Sequence, residues 1–178
     1  MREVFSVNSF CCADQFFLML LKKVISIEGP NYTNFCLVRE LAIYDVETGN
    51  IEHYFFTPPP NIFLTEADKK TDYYSRSVLG GFGLHNPVPQ PALPYDRLNS
   101  CITALGGYRL FCAGNVAHRW LQSILPYGDI VDNQQNSEFK YPKNLVPVTC
   151  EFNHKNNRYC SKGKLMTVVY YLKNRGEI

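Results

Sequence analysis

Phe35-Cys36-Leu37-Val38-Arg39-Glu40-Leu41-Ala42-Ile43-Tyr44-Asp45-Val46 is followed by Glu47-Thr48-Gly49-Asn50 and then by Ile51-Glu52-His53-Tyr54-Phe55-Phe56-Thr57. Two runs rich in β-branched and aromatic residues around a Gly-Asn turn predict a hairpin. Pro58-Pro59-Pro60 ends it, because proline brings no N–H to a ladder. Upstream, residues 16–28 read as a buried strand stopped by Gly29-Pro30-Asn31. Residues 1–15 carry no clear pattern, and residues 1–21 stand as an N-terminal extension.

Downstream, residues 61–100 hold Pro87, Pro89, Pro91 and Pro94 with Gly80, Gly81 and Gly83, so they predict mostly loop. A helix is expected over Glu66 to Leu79 and another over Arg97 to Leu105. Tyr108 to Ala113 reads as a central strand, and Asn115 to Leu125 as a helix through Val116, Trp120, Leu121 and Ile124. Asp129 to Asp132 is expected to be a short strand. Ser161 to Lys173 has Leu165, Val168, Val169 and Leu172 on one helical face. Three strands joined by a hairpin, then alternating strands and helices, predict an α/β fold with a mixed sheet flanked by helices.

The 178 residues are 46% apolar, enough for one domain with a core. The formal charge of +2 permits nucleic-acid contact without arguing for it. Seven cysteines, an odd number without framework spacing, suggest a reducing, intracellular setting. The apolar run Phe16 to Leu21 is far short of the roughly twenty residues that cross a bilayer, so no membrane role is expected.

Cys150, His154 and Cys160 fall within one short stretch. Thiolate and imidazole are ligands that Zn²⁺ prefers, and close spacing lowers the entropy cost of gathering them. Three ligands are one short of a closed structural tetrahedron. Buried cysteines and a surface histidine without metal are the plain alternative.

At this point the hairpin and the C-terminal motif together resemble a known group. Val38 to Tyr44 and His53 to Pro58 are similar to the second and third strands of DEDDh exonucleases, which have the ribonuclease H-like fold. Glu40, Cys150, His154 and Cys160 resemble, in order and setting, the Glu-Cys-His-Cys zinc tetrad of the Maelstrom domain, a divergent branch of that group. The zinc site of arenavirus nucleoproteins uses the same ligand types. The resemblance spans about residues 22 to 175 and implies that Glu40 completes a structural zinc site.

The catalytic pattern departs from that group. Two-metal exonucleases need four carboxylates and a histidine. Here the first strand offers Ser26-Ile27-Glu28, and the last helix begins Tyr159-Cys160-Ser161-Lys162-Gly163-Lys164, where lysines would repel a cation. A competing reading takes Asp45-Val46-Glu47-Thr48-Gly49 as an exonuclease opening, with Glu28, Asp129 and Asp132 completing the set. The turn reading is preferred, because this tetrad suits a tight hairpin on backbone grounds alone.

Other residues speak for less. His118 and Trp120 sit on the helix after the central strand, and His53 and His85 have no partner in the sequence. Tyr54, Phe55, Phe56, Tyr170 and Tyr171 could stack bases, but strand and helix periodicity makes most of them core. Lys22, Lys23, Arg39, Lys162, Lys164, Lys173 and Arg175 are expected to converge near one edge as a modest phosphate-binding surface. Three functional classes follow: a zinc-stabilised, catalytically degenerate module that binds single-stranded RNA or a protein partner; an active nuclease on RNA or DNA; or an assembly protein of viral or transposon origin on a nuclease-derived scaffold.

Overall fold

In the strand Lys22–Glu28 (β1), alternation sends Val24 to one face of a sheet and Ile25 to the other, and both are buried. The same division recurs in Glu40–Asp45 (β2), with Ala42 and Tyr44 opposite Leu41 and Ile43, and in Arg109–Cys112 (β4), with Phe111 opposite Leu110 and Cys112. A sheet apolar on both faces must be covered on both, and helices do this. The structure, a computed structural model, describes residues 21–77, 81–150 and 159–178. Its remaining strands and α-helices are β3 (Ile51–Phe55), α1 (Glu66–Ser77), α2 (Arg97–Thr103), α3 (Asn115–Ile124), β5 (Asp129–Asp132) and α4 (Ser161–Asn174).

The five strands form one mixed sheet in the order β3-β2-β1-β4-β5. β2 runs antiparallel to β1 and β3, whereas β1, β4 and β5 are mutually parallel. On one face Leu98 and Ile102 of α2 and Ala117 and Leu121 of α3 pack on Ile25, Leu41, Ile43 and Leu110. On the other, Leu165, Val168, Val169 and Leu172 of α4 cover Val24, Ala42, Tyr44 and Phe111. Each such fully buried aliphatic side chain contributes about 1.5–3 kcal/mol by area. α4 lies antiparallel to β1: its Lys164 pairs with Glu28 at the end of β1, while its Lys173 sits over the ring of Tyr44 near the start.

α1 is attached by polar groups rather than by an apolar stripe, its buried residues being Asp68 and Asp72. Thr65 and Asp68 form a reciprocal cap: Asp68 N donates to Thr65 Oγ1 at 3.1 Å and Thr65 N donates to Asp68 Oδ2 at 3.2 Å. The other oxygen of Asp68 accepts from the N–H and hydroxyl of Thr33, each at 2.8 Å. Asp72 Oδ1 accepts from the Tyr32 hydroxyl and from Leu84 N, both at 2.6 Å. Nearby, Arg39 is fully buried and donates from Nε to Phe56 O (3.0 Å) and from Nη2 to Asn86 O (2.8 Å). Its Nη1 donates to the carbonyls of Gly83 and Leu84. The 83–86 segment is therefore fastened to the sheet through one guanidinium.

The α/β architecture, the hairpin and every predicted helix within the described residues are present. The hairpin strand begins at Glu40 rather than Phe35, because Asn31 and Cys36 pair in a separate small bridge and Arg39 N donates to Glu28 O at 2.8 Å. That close return demands Gly29: its φ is +157°, and a Cβ there would stand 1.8 Å from Leu37 O. The first strand starts at Lys22 in the described chain, and residues 16–20 of the predicted strand lie outside it. Residues 78–80, the end of the predicted α1, also lie outside. Among the described residues no helix is long and apolar enough to cross a membrane.

Candidate metal centre

Register brings the centre together. Glu40 faces Phe55 and Ala42 faces His53 across the β2–β3 ladder, so Glu40 and His53 project from one face as diagonal neighbours. His53 Nε2 lies 2.7 Å from Glu40 Oε1, and the thiol of Cys150 donates to the same oxygen at 3.7 Å. The ligand atoms of Glu40, His53 and Cys150 all lie within 4.8 Å of one another, and Glu40 is 0% exposed. A tetrahedral Zn²⁺ with bonds of 2.0–2.3 Å spaces its ligand atoms by roughly 3.5 Å, so small side-chain shifts would close this group on an ion. Carboxylate, imidazole and thiol are a borderline-soft donor set that suits zinc rather than Mg²⁺ or Ca²⁺.

Of the expected tetrad, the structure places Glu40 and Cys150 in one group. Glu40 and Cys150 come together across 110 residues of chain. His53, for which the sequence offers no partner, joins them. His154 lies outside the described residues. Cys160 caps α4, its sulfur accepting from Gly163 N at 3.4 Å. A buried sulfur at that position satisfies one of the N–H groups that every helix start leaves unpaired.

The acidic residues of the alternative nuclease reading do not converge. Glu28 ends β1, whereas Asp45 lies beside Lys23 at the other end of that strand; the strand's length of about 20 Å separates them. Asp45 bonds Lys23 Nζ at 2.6 Å and Thr48 N at 2.9 Å, and Lys23 first, then Thr48, holds its carboxyl down to about 2. Glu47 stands in the hairpin turn beside it. Asp129 is paired with Arg109 at the same end. Asp132, at the far end of β5, accepts from Gly114 N (2.9 Å) and Gln134 N (3.0 Å) and so fixes the β4–α3 junction. Glu28 itself pairs with Lys164, a fixed cation in place of a mobile one.

The proposed basic surface is also divided, and this corrects the expectation of one edge. Lys162 and Lys164 stand at the start of α4, beside the end of β1. Lys22 and Lys23 stand at the start of β1, roughly 20 Å away along that strand. Lys22 donates to Glu177 O at 2.6 Å and Lys162 to Thr149 O at 2.9 Å, while Arg39 is in the interior and Arg175 pairs with Glu138 and Glu177. The direction of α4 over the sheet causes the split. His118 and His85 join no metal-ligand group among the described residues.

Among the described residues Cys36, Cys101 and Cys112 are thiols in no disulfide. Burial, with Glu28 as the lesser cause for Cys36 and Asp132 for Cys112, pushes both of these thiols up to about 12, far from nucleophilic thiolates. The chain matches no protein-family model, no curated protein and no solved structure.

Proposed function

We propose that this chain is a ribonuclease H-like, exonuclease-related domain that has lost two-metal catalysis and binds single-stranded RNA, with zinc as a structural staple. The strand order 3-2-1-4-5 with an antiparallel β2, and a final helix laid on β1 and β2, support the fold reading. The Lys164–Glu28 ion pair carries the loss of catalysis. A carboxylate at the end of β1 neutralised by an ammonium has little left for Mg²⁺, and the other acidic residues are spread over both ends of the sheet with partners of their own. Glu40, His53 and Cys150, with a fourth ligand from His154 or Cys160, would hold zinc with no site for water and tie the β2–β3 hairpin to the chain ahead of α4.

The test is incubation of the purified protein with labelled single-stranded RNA in Mg²⁺, Mn²⁺ or EDTA, followed by a mobility shift under a salt titration. Intact RNA in all three, with a salt-sensitive shift, is the expected result. Cleavage that depends on a divalent cation would overturn the degenerate-nuclease reading, and absence of a shift would overturn the binding reading.

A further inference from the structure

Sequence order reverses in the sheet between β1 and β4: the chain moves outward from β1 to β3 and then returns to β4 on the other side. Where the connections from two neighbouring parallel strands part, a crevice opens outside their carboxyl ends, and ligands of α/β proteins settle there. In this protein the connection from β1 is the 29–36 loop, the connection from β4 is α3, and a cleft of about 330 Å³ separates them.

The lining has a definite chemistry. Phe35 is 38% and Val116 39% exposed, among the few large apolar side chains left open to solvent, and both line this cleft. Trp120 packs partly on the core and presents the rest of its ring to the same space. Arg119 is exposed and forms no ion pair among the described residues. Asn31 and Asn34 add amide donors and acceptors. The volume is at the low end of small-molecule sites, too small for a helix or a protein knob and sufficient for one planar ring.

We infer that this cleft binds a nucleotide: its base stacks on Trp120 beside Phe35, the asparagine amides meet the base edge, and Arg119 meets the phosphate. Base–aromatic stacking tolerates any base, so the site suits a non-specific single strand. The inference rests on the RNA-binding reading and locates it away from the lysines that the sequence singled out. The two sources of such a group are a free nucleotide and a residue within a strand.

Trp120 is the single tryptophan of the chain, so the intrinsic tryptophan fluorescence comes from a residue that lines this cleft. The full chain would be titrated with uridine and adenosine monophosphates, with a uridine oligonucleotide, and with an abasic oligonucleotide of equal length, while a mobility shift is read in parallel. Expected are saturable quenching by the uridine oligonucleotide and little by the abasic one. Arg119→Ala should weaken binding several-fold and lower the salt slope by about one. Phe35→Ala, at a half-exposed position, should weaken it about tenfold, and so should Trp120→Ala, read by the mobility shift. Quenching by mononucleotides as well would show that the base and one phosphate suffice; quenching by the oligonucleotide alone, that the strand must present them. A shift with unchanged Trp120 fluorescence, and an unchanged shift in Arg119→Ala and Phe35→Ala, would overturn the cleft and leave RNA binding standing elsewhere. No shift and no quenching would overturn both.

Discussion

His53 Nε2 stands 2.7 Å from Oε1 of Glu40, on the neighbouring strand of the same hairpin, and Cys150 donates to that same oxygen. Protein purified without added metal is expected to carry about one zinc per chain by elemental analysis. His53→Ala and Cys150→Ser should each lower that content. EDTA should lower the wild-type Tm and leave the variants little moved, since binding energy at a site absent from the unfolded chain is folding energy. His53→Ala should also cost about 3 kcal/mol, because it removes a partner from a carboxylate that is 0% exposed. Metal-free wild type with an unchanged Tm in EDTA would reduce the cluster to hydrogen bonding.

Arg39 carries a different kind of load. All three of its nitrogens donate to backbone carbonyls of Phe56 and of the 83–86 segment. Lysine offers one nitrogen and cannot reproduce a fork with three directions. Both Arg39→Lys and Arg39→Ala are therefore expected to destabilise, by about 2 and about 4 kcal/mol in denaturant titrations, with carbonyls left unpaired in each. Arg39→Lys at wild-type stability would show that the carbonyls find water instead.

These two sites differ in how far the sequence discloses them. The hairpin was legible because apolar alternation and a Gly-Asn turn are local, and the helix ranges of α3 and α4 followed from their spacing. His53 could have been found by carrying the hairpin register through: a turn that pairs Tyr44 with Ile51 puts residues 51, 53 and 55 on the face of 40, 42 and 44. Arg39 reads as a charged residue beside a strand, and nothing local tells that loop carbonyls forty-odd residues away receive it. The single basic edge failed for a related reason. Whether Lys22 and Lys164 share an edge depends on the direction of α4 across β1, which is a packing outcome.

Acid should expose the Asp45 pair. With its folded carboxyl held at about 2, chiefly by Lys23, and an ordinary value of 3.8, Asp45 contributes stability that is fully present above about pH 4. That contribution is lost as pH falls through 2, because the unfolded chain takes up the proton first. Asp45→Asn should therefore lower stability at pH 7 by less than about 1 kcal/mol, as expected for a pair near the surface. It should also make the fall in urea midpoint between pH 4 and pH 2 shallower than in wild type. A remaining slope is expected from Asp68, likewise held at about 2 by the Thr33 and Thr65 donors. An unchanged acid limb in Asp45→Asn would show that Lys23 does not act on this carboxyl.

Lys164 and Glu28 are joined across 136 residues, with 24% and 12% of their side chains exposed. Removing one partner leaves the other charge partly buried without its counter-charge, whereas removing both leaves no charge to strand, so the single and double variants should not add. Lys164→Met and Glu28→Gln are each expected to cost about 1–2 kcal/mol, and the double variant less than the sum, with a coupling of about 1 kcal/mol. The same variants bear on the absent nuclease. If the ammonium merely blocked an otherwise complete centre, Lys164→Met would bind Mn²⁺ and cut RNA; because Asp45 and Asp129 lie at the other end of the sheet and Asp132 is engaged by backbone N–H groups, it should do neither. Metal-dependent cleavage by Lys164→Met would show that a catalytic set persists behind the salt bridge.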